Sequence, residues 1–359
     1  MVERTLRLLE TDRVPIYDLL RCDAAFEYFS GERLPVLRAD EETREKLNRI
    51  VGKAVNAFLD MTRSVGFGPL QDEETKDEFG FVYRSSVREK TTWIVRRPFA
   101  DESGARNYLK EAIRRIAQNL KEFPSQAKSY RENYHRDFLK CQETIGDTVN
   151  LLAQQGTGLD DLRHQLGFDL FCYLEQDEPG LVSEYLELRT RMNVVICQTI
   201  ADRQLSPVVL TYGDIACKQR LLHSPAFLRR EFFPRLKRLN DAWHEHGLVC
   251  LFHSDGYLME VMDDLVAAGI DGLNPIETVA GMSLKELKER YGNKIFLAGG
   301  IDISQLMALK SPEEVKEVCR QAIKDAYPGY FIGSTTELDN SVKLENVVAL
   351  YQVVQETRL

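Results

Sequence analysis

The chain has seven cysteines but no Cys-x-x-Cys pair among Cys22, Cys141, Cys172, Cys197, Cys217, Cys250 and Cys319. An odd number of cysteines without framework spacing predicts free thiols and a reducing, cytoplasmic compartment. No run approaches the ~18 apolar residues of a membrane helix. The opening MVERTLRLLETDRVP interrupts its apolar residues with charges, which predicts no secretory leader. There is no dense basic block either: in KSYRENYHR and RREFFPRLKR the cations are interleaved with other residues, and the net charge is −9. That balance argues against a nucleic-acid partner. No GxGxxG follows the first apolar run, so the simplest dinucleotide-binding reading also fails. Linkers and low-complexity tracts are missing as well, which predicts one domain over residues 1–359.

What the sequence does contain is alternation. Eight short apolar runs read as strands buried on both faces: residues 13–19, 54–61, 148–154, 207–213, 248–253, 270–276, 294–300 and 329–334. Helical patterns separate them, most clearly SPAFLRREFFPRLKRLNDAWHEH, YLMEVMDDLVAAG, SLKELKERYG, SPEEVKEVCRQAIKDAY and LENVVALYQVVQET. Ser224-Pro225 and Ser311-Pro312 place an N-cap and a first-turn proline where two of these helices begin. Strand followed by helix, eight times, predicts an α/β fold, a (β/α)8 TIM barrel, over an open doubly wound sheet. One stretch breaks the pattern. Residues 79–99, FGFVYRSSVREKTTWIVRRPF, read as a β-hairpin inserted after the second strand, lying over the barrel mouth or plugging its far end. Residues 101–145 read as an added charged helical segment.

Chemistry in such a barrel sits where strands end. The residues found there are Asp60 after the second run, Tyr212 and Asp214 after the fourth, His253 and Asp255 after the fifth, Asn274 and Glu277 after the sixth, Asp302 after the seventh and Ser334 after the eighth. His253 stands out, because LVCLFH ends on it and Ser-Asp-Gly follows. The other five histidines fall in helical or loop text. A histidine with converging carboxylates can hold a divalent metal, with His253 and Glu277 as ligands, or the carboxylates can work as general acids and bases. Spacing leaves both open. Gly299-Gly300 fits a phosphate turn or a tight turn needing positive φ equally well, and Asp302 fits a ligand contact or a helix cap.

From Asp169 onward the text YGDIA, HSPAFLRREFFPRLKRL, LFHSDG, AGIDGLNPIE, LAGGID and LENV resembles the uroporphyrinogen decarboxylase superfamily, most strongly over residues 205–356. That resemblance implies a (β/α)8 barrel, a homodimer, and either decarboxylation or corrinoid-linked methyl transfer. In the decarboxylase branch an RQAGRY signature follows the first strand. Here the text is LLRCDAAFEYF, and only Arg21 survives. The branch's GHG is replaced by IGSTTE, although Asp60 matches its catalytic aspartate. In the coenzyme M methyltransferase branch, zinc is held by an HxC pair and a later cysteine. His253 matches that histidine, Asp255 stands at the first cysteine, and Gly333-Ser334 replaces the second. The HSDG and NPIE text is similar to methyltransferase components that demethylate ethers or amines. The resemblance then implies a catalytic set of Asp60, His253 and Glu277, with zinc on His253 and Glu277 as Lewis acid. Tyr212, Asp214, Asp255, Asn274 and Asp302 would bind a methoxylated, aromatic or similar donor. No DxHxxG stretch occurs, so cobalamin would come on a partner corrinoid protein. Two alternatives stay open: a metal-free decarboxylase using Asp60, and a barrel that only binds a tetrapyrrole or corrinoid.

Overall fold

In the computed structural model, which describes residues 1–359, the apolar runs of the C-terminal half form parallel strands. Val208–Tyr212, Val249–His253, Gly272–Asn274, Phe296–Ile301 and Tyr330–Ser334 are buried along nearly their whole length, as strands covered on both faces must be. With Gln154–Gly156 they make a six-stranded parallel sheet whose spatial order follows the chain. Val149–Asn150 pairs in parallel with Met61–Thr62. Single bridges extend the pairing, Tyr17 with Met61 and Ile16 with Ile332, and the Leu152 N–H donates to the Val208 carbonyl at 2.9 Å.

Helices fill the intervals, and their starts obey the local chemistry. Ser224 Oγ accepts from the Phe227 N–H at 3.1 Å with Pro225 next in line. Ser311 and Glu314 form a reciprocal capping box ahead of Pro312–Ala326. Three apolar clusters follow from this arrangement, one of them joining Phe138, Ile200 and Trp243 to Val209 and Cys250. Tyr17, Met61, Leu210, Leu251, Phe296 and Phe331 belong to a second cluster among the strands. A larger cluster of 66 buried residues runs from Val14 to Val354 and packs helices against the sheet. No helix is long and apolar enough to cross a membrane, and all seven cysteines are free thiols.

Three elements differ from the sequence reading. Residues 54–61 are mostly the end of a helix, Glu41–Phe58, and only Met61–Thr62 is strand. The helix buries Leu47, Ile50, Val51, Ala54, Val55 and Phe58, a 3.6-residue stripe that a short window mistakes for a strand. Residues 13–19 contribute bridges at Ile16 and Tyr17 and no longer strand. The expected hairpin is a three-stranded antiparallel sheet, Glu73–Lys76, Val82–Ser86 and Thr91–Arg96. Its first strand, EETK, is exposed throughout, so it has no apolar alternation to detect.

That sheet lies over the carboxyl ends of the parallel strands, because Tyr83 and Ile94 share a cavity wall with Tyr212 and Asp214. Its turn is pinned to the body of the protein. The Lys90 ammonium donates to Asp23 Oδ1 at 2.6 Å and sits 3.3 Å from the Phe67 ring centroid. Beyond it, Glu102–Ile145 is one long helix capped by Asp101, and it packs on Pro179–Ile200.

Candidate functional site

Parallel register brings the site together. His253 is paired with Tyr212 on one side and with Asn274 on the other, so the last residues of three neighbouring strands stand in one row and project alike. Asp214 lies two residues past Tyr212 and Asp255 two past His253. The equal offset places both carboxylates beside the imidazole. A carboxylate oxygen of each and a ring nitrogen of His253 lie within 4.8 Å of one another.

The imidazole is buried and its tautomer is set by hydrogen bonding. Nδ1 stands 2.7 Å from Asn274 Oδ1, and Asn274 Nδ2 donates to the Ala298 carbonyl at 3.2 Å. The amide oxygen therefore faces the ring and accepts its proton. Nε2 is left with a lone pair, 4.0 Å from Asp255 Oδ1. Burial, reinforced by the Arg63 guanidinium, holds His253 down at about 4, so the ring is neutral at physiological pH. Asp255 moves the other way. Burial and the charges of Asp214 and Glu277 push it up to about 7, and Asp255 Oδ1 is buried without a hydrogen-bond partner.

These features fit a divalent metal. A neutral imidazole oriented through its far nitrogen, an orphaned carboxylate oxygen and a second carboxylate make an N,O donor set of the kind that holds zinc. A bound cation would also relieve the repulsion that raises Asp255. Glu277, expected as a ligand, is less free. Its Oε2 accepts from the Gly256 N–H at 2.9 Å, while Asp214 and Asp255, expected to touch substrate, are the carboxylates that meet His253.

The remaining candidates separate. Asp60 stands at the amino end of Met61–Thr62, not after it, and Arg13 grips it with two bonds of 2.8 Å while the Ile16 N–H adds a third. It belongs to the opposite end of the sheet from His253. The reason is that the strand begins only at Met61, after the helix tail that reads as strand in the sequence. Asp302 caps the turn that follows it, accepting from the Ser304, Gln305 and Leu306 N–H groups, which lowers its pKa against the effect of burial. Gly299 and Gly300 are inside a strand at φ +110° and +93°, and a Cβ on Gly299 would collide with the Pro275 carbonyl oxygen. Close backbone approach explains that glycine. Arg21 pairs with Glu337 at 3.4 Å.

Four residues at this end escaped sequence reading. Asp18 is the last residue but one of the first run and accepts from the Leu19 N–H and from both the N–H and hydroxyl of Ser334, yet burial pushes it up to about 7. Arg63 follows the Met61–Thr62 strand and would have been found had that strand been placed correctly. Asp160 accepts from Arg163 and from the Asp214 N–H, and burial raises it to about 6. Asp160 and Arg163, with Tyr212, Asp214 and the Tyr83–Ile94 wall, line a cavity of about 520 Å³.

The protein matches no protein-family model, and no curated protein matches it. Among solved structures, a methyltransferase from Methanosarcina mazei superposes with a TM-score of 0.67 at 15% identity, covering 99% of this chain and 97% of that one. The chain has the fold of that methyltransferase. The likeness spans the whole molecule. A B12-independent methionine synthase from Shewanella sp. W3-18-1 aligns over 96% of the chain with a TM-score of 0.49 at 10% identity.

Proposed function

We propose that the protein is a methyltransferase that takes a methyl group from a methoxylated, aromatic or similar donor and passes it to the cobalt of a separate corrinoid protein. The observation that carries this reading is the convergence of His253, Asp214 and Asp255 at the carboxyl ends of the strands in a methyltransferase fold. The chain of pairings from Ile16 through Met61, Val149, Val208 and onward to Ile332 supports a closed (β/α)8 barrel. On this reading residues 1–359 are one domain, with the antiparallel sheet and the Glu102–Ile145 helix as insertions. Seven free thiols suit a reducing compartment such as the cytoplasm.

The residues divide the work by position. His253, Asp214 and Asp255 hold the zinc, with Glu277 as the next carboxylate in line. Asn274 keeps the imidazole turned so that Nε2 faces inward. When bound, the metal supplies Lewis-acid charge at the donor's leaving atom. Tyr212 and the overlying Tyr83 and Ile94 receive the donor. No DxHxxG stretch is present, so the corrinoid arrives on its own protein.

Zinc content by mass spectrometry of the wild type, His253→Ala and Asp255→Asn, together with methyl transfer to a reduced corrinoid protein followed by absorbance, tests the proposal. Near-stoichiometric zinc in the wild type, lost with activity in both variants, is the expected result. Zinc that stays in both variants, or transfer that proceeds in them at the wild-type rate, sinks it.

A further inference from the structure

Arg63 is a guanidinium beside the site that no carboxylate in the fold touches, although Asp18 and Asp255 lie within its field. The other arginines at this end are engaged: Arg21 with Glu337, Arg163 with Asp160, Arg189 with Asp161, and Arg97 with the carbonyls of His164 and Gln165. Arg63 makes no ion pair. Its one polar side-chain contact is long, 3.5 Å from Nη1 to His253 Nδ1. That contact sets donor against donor, because Nδ1 gives its proton to Asn274 Oδ1 at 2.7 Å.

Most of the surrounding acids are bonded elsewhere; Asp255, whose Oδ1 has no partner, lies in the field of Arg63 without bonding to it. Asp18 takes three donors from Leu19 and Ser334, Glu277 takes the Gly256 N–H, and Asp214 takes the Asp255 N–H at 3.2 Å. The backbone that presents Arg63 is held firmly. Its carbonyl accepts from Gln154 Nε2 at 2.7 Å, and Thr62 Oγ1 donates to the Asp18 carbonyl at 2.8 Å. The Tyr17 hydroxyl, buried within the field of Arg63, also lacks a partner. A half-buried guanidinium that no carboxylate touches has lost hydration without recovering it. An arriving carboxylate restores that loss through the planar fork that arginine offers.

We infer that Arg63 is a specificity-determining residue that receives a carboxylate of the methyl donor, so the natural donor is an anionic, carboxylate-bearing molecule. The inference rests on reading this end of the sheet as the reaction site.

Calorimetric titration of the full chain with 3-methoxybenzoate and with the neutral isostere 3-methoxybenzamide tests it, in the wild type, Arg63→Met and Arg63→Lys. The wild type should bind the carboxylate about tenfold or more tightly than the amide, the scale of one hydrogen bond to a charged group. Arg63→Met should bind the two alike, and Arg63→Lys should keep part of the preference. Equal affinities in the wild type overturn the inference without any recourse to a variant, even where methyl transfer from neutral donors is measured. A preference that survives in Arg63→Met overturns it too. A preference present in the wild type and lost in Arg63→Met supports it, even if no methyl transfer is found.

Discussion

Asn274 Oδ1 accepts from His253 Nδ1 at 2.7 Å while its own Nδ2 donates to the Ala298 carbonyl at 3.2 Å. The relay crosses three adjacent strands and converts their register into the orientation of one ring. Partners of this kind tune metal-ligating histidines by about 10–100-fold in affinity. Asn274→Ala should therefore weaken zinc binding by about that factor, measured by competition with a chelator. Unchanged affinity would show that packing alone orients the imidazole.

Asp302 reads as a cap rather than a ligand, since three successive N–H groups converge on its carboxylate. Asp302→Ala should cost about 1–2 kcal/mol of stability, the usual loss for an N-cap, and leave zinc content unchanged. Urea unfolding and metal analysis of the same sample separate the two roles. A loss of metal without a loss of stability would return Asp302 to the site.

The Lys90–Asp23 pair predicts an asymmetry between breaking an ion pair and removing it. Lys90 is almost wholly buried, with 3% side-chain exposure, against 42% for Asp23. Asp23→Ala leaves a buried ammonium with only the faces of Phe67 and Phe26 for company and should destabilise by about 2–3 kcal/mol, less than a fully buried pair would lose. Lys90→Met removes the charge and keeps the stem, so it should stay within about 1 kcal/mol of the wild type. Denaturant midpoints decide this; equal losses in the two variants would refute the account.

His244 supplies a pH dependence away from the site. Its Nε2 meets Asp271 Oδ2 at 2.7 Å, and this bond, helped by the charges of Asp271 and Asp241 and opposed by burial and Lys237, raises the pKa of His244 above its ordinary value. A raised folded-state pKa means that the folded protein holds the proton more tightly than the unfolded chain does. The stability so gained is fully present below about 6.5, the value in the unfolded chain, and is lost as pH rises through the folded value. The advantage of wild type over His244→Gln should shrink between pH 6 and pH 9 in thermal unfolding. An advantage that grows with pH would reverse the assignment.

Much of the site was legible because its residues end apolar runs. Tyr212, His253 and Asn274 are the terminal residues of three strands, and the local text marks each of them. The misreading at residues 54–61 shows the limit of that method. A helix tail and a strand look alike over eight residues, and the error exchanged Arg63, at the end that carries the chemistry, for Asp60, which is locked to Arg13 at the other. The exposed EETK strand left no pattern at all, because its partners supply the pairing and it buries nothing.

Helix starts, the alternation of strand and helix in the C-terminal half and the prominence of His253 follow from short-range rules, since propensity, capping and periodicity act within a few residues. Which carboxylates meet that histidine does not. Asp214, Asp255 and Glu277 are spread over more than sixty positions, and parallel pairing alone makes neighbours of them. The shifts of Asp255 upward and His253 downward come from burial and crowding of charge, which exist only once the strands are assembled.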